Sequence, residues 1–160
     1  MRRSTVAAGI AVLAIAVVVR TQVIDVVSVS SDSMAPTACS GDTVVLSRLG
    51  TASVDVDDIV TFPNPQDGAP TIKRIVALAG QRVAIRDAEL VVDGHTVAEP
   101  YVDHATIDGV YFGPVTVPEG MVFVLGDHRE ISIDSRSYGA ISPMTITGRL
   151  IGRLRNTCSG

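Results

Sequence analysis

The stretch IKRIVAL at residues 72–78 indicates how this chain folds. Branched aliphatic residues favour β-strands, and Gly80 follows the stretch at the position of a turn. Alternate side chains of a strand point to the same face, so Lys73 shares one face with Ile75 and Ala77. The stretch therefore predicts a strand that carries an amine into an apolar layer.

Similar short runs, rich in Val and Ile and separated by Gly, Pro and Asp, surround this stretch. They lie at residues 43–46, 58–62, 82–85, 89–92, 121–125 and 145–154. Asp93-Gly94 predicts a two-residue hairpin turn, and PNPQDGAP at 63–70 predicts an exposed loop. No segment after residue 25 has the 3.6-residue apolar period of a helix. The sequence therefore predicts an all-β, mainly antiparallel domain.

The composition limits the possible functions. A chain of 160 residues and 16.7 kDa has room for one domain with its own core. Its net charge of −4 gives no positive field for many phosphates, so nucleic acid is not an expected partner. Two cysteines cannot form a four-cysteine zinc site, and the three histidines lack metal-ligand spacing. We therefore expect no metal and no organic cofactor.

The amino-terminal segment predicts a membrane span. Residues 4–19 are uncharged and apolar, with Arg2 and Arg3 before them and Arg20 after them. As a helix this run rises about 24 Å, somewhat less than a hydrocarbon core of about 30 Å. The long stem of Arg20 can lie along lipid and close the gap. A mean hydropathy of +0.36 is also high for a domain that meets only water.

A cleaved secretory signal is the alternative interpretation of this segment, because such signals also begin with positive charge and an apolar run. The sequence VVVRTQ at residues 17–22 lacks the small residues of a cleavage site. We therefore favour an uncleaved anchor, with residues 1–24 as cytoplasmic tip and transmembrane helix. The arginines keep the amino end inside. Residues 25–160 would then form an extracytoplasmic domain of a single-pass protein in the cytoplasmic membrane.

The basic residues show an unusual asymmetry, since twelve are Arg and Lys73 is the only Lys. A GC-rich genome accounts for the arginines, but not for the single lysine. Arginine cannot lose its proton in a protein, whereas a desolvated lysine can. The serine-rich stretch at 30–37 is, taken alone, typical of a solvated linker. A serine hydroxyl and a neutral lysine together form a complete acyl-transfer pair without histidine.

These residues resemble a known family, the type I signal peptidases, which are membrane-bound Ser/Lys proteases. Three stretches are similar to its main sequence boxes: SDSMAPT at 31–37, IKRIVALAG at 72–80 and GDHREISIDSR at 126–136. Two lesser similarities, Gly41-Asp42 and DIVTF at 58–62, lie between them. All five occur in the order of the family, and the resemblance implies its β domain behind an amino-terminal transmembrane helix.

The resemblance also implies roles for individual residues. Ser33 would be the nucleophile, Lys73 the general base and Ser31 a donor to the oxyanion hole. Ser132 would orient the lysine amine. The implied supporting ion pairs are Asp127 with Arg74 and Asp134 with Arg136. The implied walls of the substrate pocket are Val29, Met34 and Ile72.

The implied function is cleavage of signal peptides from exported preproteins after small residues, with signal peptides and the lipid bilayer as partners and no cofactor. Two alternatives stay open: a Ser/Lys peptidase for one dedicated substrate, and an inactive membrane-tethered binding module. The last box departs from the family pattern at His128, Glu130 and Ile131. His128 would be the alternative base. A disulfide between Cys39 and Cys158 is possible outside the membrane, but the sequence does not decide it.

Overall fold

The structure is a computed structural model that describes residues 23–102, 111–155 and 157–158. The strands of these residues are β1 Ile24–Ser28, β2 Thr43–Ser47, β3 Ile59–Pro63, β4 Pro70–Leu78, β5 Arg82–Arg86, β6 Glu89–Val92, β7 His95–Thr96, β8 Phe112–Thr116, β9 Val122–Leu125 and β10 Gly148–Arg155. A one-turn helix, α1, spans Ser135–Tyr138, and a 3-10 turn spans Pro143–Thr145. The all-β prediction is therefore confirmed.

The expected anchor at residues 4–19 lies outside the described residues. Within the described ranges, no helix is long and apolar enough to cross a membrane.

The strands form two antiparallel sheets. The larger has six strands in the order β1-β2-β10-β3-β4-β9, and the smaller has four in the order β7-β6-β5-β8. Strand β4 contributes Val76 and Ala77 to a core cluster that both sheets build, and Ile75 to a second cluster within the larger sheet. Because β4 is covered on both faces, its central residues are shielded from water. The side chains at residues 73–77, which include Lys73, therefore lie in an environment with little water.

Most of the expected strands are observed near their expected bounds. The Asp93-Gly94 hairpin is confirmed by the pairing of Val92 with His95, and residues 64–69 form the expected loop, which is mostly exposed. The strand expected at 145–154 begins later, at Gly148, because the Ser142 side chain caps the preceding 3-10 turn.

Strands β1 and β8 were not predicted. Residues of β1 are mostly exposed, so it has no alternating apolar pattern, and β8 contains a Gly and a Pro that disfavour strands.

Candidate active site

Ser33 lies in the loop that connects β1 to β2. Backbone hydrogen bonds close the base of this loop, from Val29 N to Asp42 O at 2.9 Å and from Gly41 N to Val29 O at 2.8 Å. Met34 is fully buried and anchors the loop in the core. With its neighbour fixed in this way, Ser33 is held in one position and is only 8% exposed.

Lys73 projects from β4 toward this loop. Its side chain is buried, and Nζ lies 2.7 Å from Ser33 Oγ. The amine also donates to the carbonyl oxygen of Ile72 at 2.8 Å. The structure therefore brings the two central residues of the sequence prediction into hydrogen-bonding contact.

Burial lowers the pKa of the Lys73 amine from 10.5 to about 8. The carboxylates of Asp134 and Asp127 act in the opposite direction, and the guanidinium of Arg136 lowers this pKa further. The loss of hydration therefore outweighs the nearby negative charges. A sizeable fraction of the amine is neutral in mildly alkaline water, so the amine can accept a proton.

Ser31 lies at the edge of the same loop, with its Oγ 3.3 Å from Ser33 Oγ. Ser31 also lines a cleft that runs between β1 and the start of β4. Val29 and Ile72, two of the three expected pocket walls, line this cleft as well. The cleft therefore lies beside the contact of Ser33 with Lys73, since Ser31 and Ile72, two of its lining residues, each contact one member of that pair.

The third expected pocket wall, Met34, is placed differently. Its side chain is 0% exposed and packs in a core cluster with Val29, Val44 and Ile59. The expectation of Met34 as a wall is corrected here, because a fully buried side chain presents no surface to a ligand.

Gly126 lies where the loop at residues 126–136 meets the loop of Ser33. A Cβ atom at this position would lie 2.1 Å from Ser132 Oγ and 2.5 Å from the Ser33 carbonyl oxygen. Only glycine allows this close approach. The backbone N–H of His128 donates to the same carbonyl at 3.1 Å, which ties the two loops together.

The two expected ion pairs are present. Arg74 binds Asp127 through two hydrogen bonds of 2.9 and 2.6 Å, and the guanidinium is nearly buried. Arg136 binds Asp134, from Nε to Oδ1 and from Nη2 to Oδ2, at 2.8 Å each. Asp134 also caps the start of α1 and accepts from Gly126 N at 3.1 Å. These pairs hold the 126–136 loop beside β4.

The expected bond between Ser132 and the lysine amine is not formed. Ser132 Oγ is buried and has no hydrogen-bond partner among the described residues. The hydrogen bonds of Lys73 go to Ser33 and to the Ile72 carbonyl instead. Ser132 nevertheless lies against Gly126, next to the loop of Ser33.

His128, the alternative base of the sequence analysis, contacts the backbone of the loop that carries Ser33. Its Nδ1 lies 3.2 Å from the Asp32 carbonyl oxygen. Lys73 is therefore the titratable group in contact with Ser33 Oγ. In the described part of the chain, no group of three or more His, Cys, Asp or Glu side chains is arranged to hold a metal ion.

Cys39 and Cys158 form a disulfide, with 5.3 Å between their Cα atoms. The bridge joins the segment after β10 to the segment that follows Ser33. Buried Asp42 strengthens this junction by accepting from Thr157 Oγ1 at 2.8 Å and from Cys39 N at 3.0 Å. The question that the sequence left open is therefore answered by the fold.

Sequence reasoning missed Glu99 and Tyr101. Glu99 is 4% exposed and pairs with buried Arg129, and the ring of Tyr101 lies 3.7 Å from the Arg74 guanidinium carbon. Both belong to an irregular segment after β7 without a strand or helix pattern. Their burial depends on long-range contacts that no local pattern reveals.

The chain is similar in sequence to proteins of one known family. The model of the family described as "Signal peptidase, peptidase S26" matches residues 2–154. The chain is 32% identical over 155 residues to the signal peptidase I V of Bacillus subtilis, covering 88% of this chain and 92% of that protein. It is also 32% identical to a signal peptidase I of Bacillus licheniformis, covering 89% and 83%.

A shorter sequence match and the similarity to a solved structure point to the same family. Over 84 residues, 46% of this chain, identity to the signal peptidase I of Mycobacterium tuberculosis reaches 44%, although this covers only 29% of that protein. The crystal structure of a signal peptidase I from Enterococcus faecalis superposes with a TM-score of 0.56 at 32% identity. The alignment covers 62% of this chain and 97% of that one, so the two share a β fold.

Proposed function

This chain belongs to the S26 family of signal peptidases and is a hydrolase of the signal peptidase I type, and on this premise we propose that it removes signal peptides from exported preproteins with Ser33 as nucleophile and Lys73 as general base. The observation that carries the proposal is the 2.7 Å contact between a buried amine and a serine hydroxyl.

The proposed reaction begins with the neutral Lys73 amine. It takes the proton of Ser33 as Oγ attacks the scissile carbonyl carbon, which gives a tetrahedral oxyanion and an ammonium. The ammonium then gives its proton to the leaving amine, and an acyl-enzyme remains on Ser33. Water attacks this ester, and Lys73 takes a proton from the water and returns it to Ser33 Oγ. All protons balance without a second titratable group.

The oxyanion needs donors beside Ser33. We propose the hydroxyl of Ser31 and the backbone N–H of Ser33 for this role. The position of Ser31, in the lining of the cleft and with its Oγ 3.3 Å from Ser33 Oγ, supports this assignment. Donors fixed in advance favour the charged intermediate over the uncharged substrate.

Specificity for small residues before the cleaved bond is proposed from the cleft between β1 and β4. The apolar part of its walls includes Val29 and Ile72, whose backbones are paired with Asp42 and Thr61 respectively. A small cleft with Val and Ile in its walls admits short apolar side chains and leaves little room for bulky ones. We therefore propose cleavage after A-x-A sequences.

The location is proposed from the sequence. Residues 1–24 would form the cytoplasmic tip and the membrane anchor, and residues 25–160 the extracytoplasmic domain. Strand β1 begins at Ile24, so the anchor would connect to the sheet without a linker. A site held so close to the bilayer meets signal peptides whose own apolar segment lies in the same membrane.

A cleavage assay tests the proposal. The full chain in detergent is given a preprotein with an A-x-A site, and the products are identified by mass spectrometry. We expect cleavage by the wild type, none by Ser33→Ala, and equal inactivity of Lys73→Arg and Lys73→Ala, because arginine cannot accept the proton. The control Ser53→Ala alters an exposed serine in a turn and should cleave normally. Equal cleavage by wild type and Ser33→Ala would overturn the proposal.

A further inference from the structure

A cluster of buried charge next to the proposed active site has no role in the mechanism above. Arg129 is 3% exposed and binds the carboxylate of Glu99 through both terminal nitrogens, with Nη1 2.7 Å from Oε2. Its Nε also donates to the Gly126 carbonyl oxygen at 3.0 Å. Two-pronged pairing of this kind fixes a guanidinium in both position and orientation. Glu99 therefore holds the loop at Gly126, which lies against the Ser33 carbonyl.

Tyr101 connects this cluster to strand β4. Its ring lies beneath the guanidinium of Arg74, with 3.7 Å from the guanidinium carbon to the ring centre. Its hydroxyl lies 3.3 Å from Glu99 Oε1 and 3.2 Å from Asp57 Oδ1. Burial raises the pKa of the Tyr101 hydroxyl, and the Glu99 carboxylate raises it further, so the hydroxyl remains a donor. Arg74 is held between this ring and Asp127.

We propose that Glu99 and Tyr101 are positioning residues, which hold the strand of the general base against the loop at residues 126–136. Neither side chain touches the reacting atoms. Glu99 acts on the loop through Arg129, and Tyr101 acts on the strand through Arg74, the residue next to the general base. The inference rests on the proposed function, because it assumes that kcat depends on the distance between Ser33 Oγ and Lys73 Nζ.

The same contacts influence the charge of the base. The charged groups that act on the Lys73 amine are Asp134, Asp127 and Arg136. Arg74 neutralises part of the Asp127 carboxylate, and the Tyr101 ring keeps Arg74 in place for this. Without the ring, the carboxylate would act more strongly on the amine and raise the pKa of Lys73. Activity requires the neutral amine, so the acidic limb of the activity profile would move to higher pH.

The test compares three variants of the full chain in the preprotein assay. Tyr101→Leu removes the aromatic ring, and Tyr101→Phe keeps it. Tyr111→Leu is the matched control, since Tyr111 is exposed and its hydroxyl binds Asp87 beside the four-stranded sheet. We expect Tyr101→Leu to lose about tenfold or more in kcat at unchanged KM, with its acidic limb at higher pH. Tyr111→Leu should retain the wild-type kcat and profile. Tyr101→Phe keeps the ring against Arg74 and loses only the hydroxyl contacts with Glu99 and Asp57, so its acidic limb should stay at the wild-type pH.

Glu99→Gln tests the other half of the proposal, because it keeps the shape of the side chain and removes its charge. We expect a lower kcat at unchanged KM in a protein whose circular dichroism matches the wild type. A folded Glu99→Gln protein with the wild-type kcat would remove Glu99 from the inference.

Other outcomes would overturn the inference for Tyr101. These are a wild-type kcat and pH profile in Tyr101→Leu, an acidic limb that moves as far in Tyr101→Phe as in Tyr101→Leu, or a Tyr101→Leu protein that does not fold, since the ring would then support the fold rather than the site. Activity in Lys73→Arg would instead overturn the proposed function itself. An inactive Lys73→Arg beside a normal Tyr101→Leu would overturn only the inference.

Discussion

Ser33 Oγ and Lys73 Nζ lie 2.7 Å apart, although forty positions separate the two residues in the chain. The serine is held by a loop between β1 and β2, and the lysine by a strand that is buried on both faces. The contact therefore depends on the fold of the larger sheet. Because the Lys73 amine is buried there, its positively charged form is disfavoured relative to the neutral form.

Replacing the amine by an apolar side chain should stabilise the protein at neutral pH. A pKa lowered from 10.5 to about 8 corresponds to about 3 kcal/mol at roughly 1.4 kcal/mol per pH unit. Below pH 8 the amine is protonated both folded and unfolded, so folding carries the full penalty; above 10.5 it is neutral in both states and the penalty is gone. Lys73→Met should therefore unfold at higher urea concentrations than the wild type at pH 7.

The difference between the two proteins should shrink as the pH rises from 8 to 10.5. Urea titrations at pH 7, 9 and 10.5 measure it, with Ser53→Ala as the reference for an exposed substitution. A Lys73→Met protein that is less stable than the wild type at pH 7 would show that the amine is not penalised in the fold.

The hydroxyl of Ser31 should matter for the rate but not for binding. Ser31→Ala removes the proposed donor to the oxyanion, which typically costs about 10²–10³ in kcat. KM should change little, because the donor acts on charge that develops only during the reaction. Steady-state kinetics on a signal-peptide substrate measure both constants. A Ser31→Ala enzyme with wild-type kcat would assign the oxyanion hole to other groups.

The sequence predicted most of the strands, because strands depend on local patterns, and it singled out Ser33 and Lys73, which the structure places 2.7 Å apart. Strand β4 is rich in branched aliphatic residues and is bounded by turns, and the lone lysine stands out in an arginine-rich chain. The placement of Met34 in the pocket wall was wrong, since its position next to Ser33 in the sequence does not tell which way its side chain points. The expected bond of Ser132 to Lys73 fails for a similar reason: it depends on how the loop at Gly126 packs against Ser33.

Other features could not be read from local patterns at all. The pairing of Cys39 with Cys158 and the burial of Glu99 against Arg129 bring together distant segments. Such contacts follow from the arrangement of the sheets, which composition and periodicity do not specify.

The buried pair of Arg74 and Asp127 should contribute more to stability than an exposed pair. Asp127→Asn leaves the guanidinium buried without a counter-charge and should cost about 3–5 kcal/mol. The matched control is Asp25→Asn, which breaks an exposed pair with Arg48 and should cost less than about 1 kcal/mol. Urea unfolding measures both. Equal losses of unfolding free energy in Asp127→Asn and Asp25→Asn would contradict the account that the Arg74–Asp127 pair is buried and the Arg48–Asp25 pair exposed.

The disulfide should stabilise the folded domain strongly, because it closes a loop with a sequence separation of 119 residues. For a loop of this length, the loss of chain entropy in the unfolded state corresponds to about 5 kcal/mol. The double variant Cys39→Ser with Cys158→Ser should therefore have a clearly lower Tm than the wild type.

Alkylation of the unfolded wild type without reductant should leave its mass unchanged, and alkylation after reduction should modify both cysteines. Two alkylated thiols without reductant would show that the bridge is absent.

The titration of Lys73 tests the central claim most directly. Since this is the only lysine of the chain, selective labelling with ¹³C-lysine gives a single side-chain signal, whose chemical shift reports the charge of the amine as the pH changes. We predict a midpoint about two pH units below that of an ordinary lysine, close to pH 8. A midpoint near 10.5 would mean that the amine is protonated at neutral pH and cannot activate Ser33.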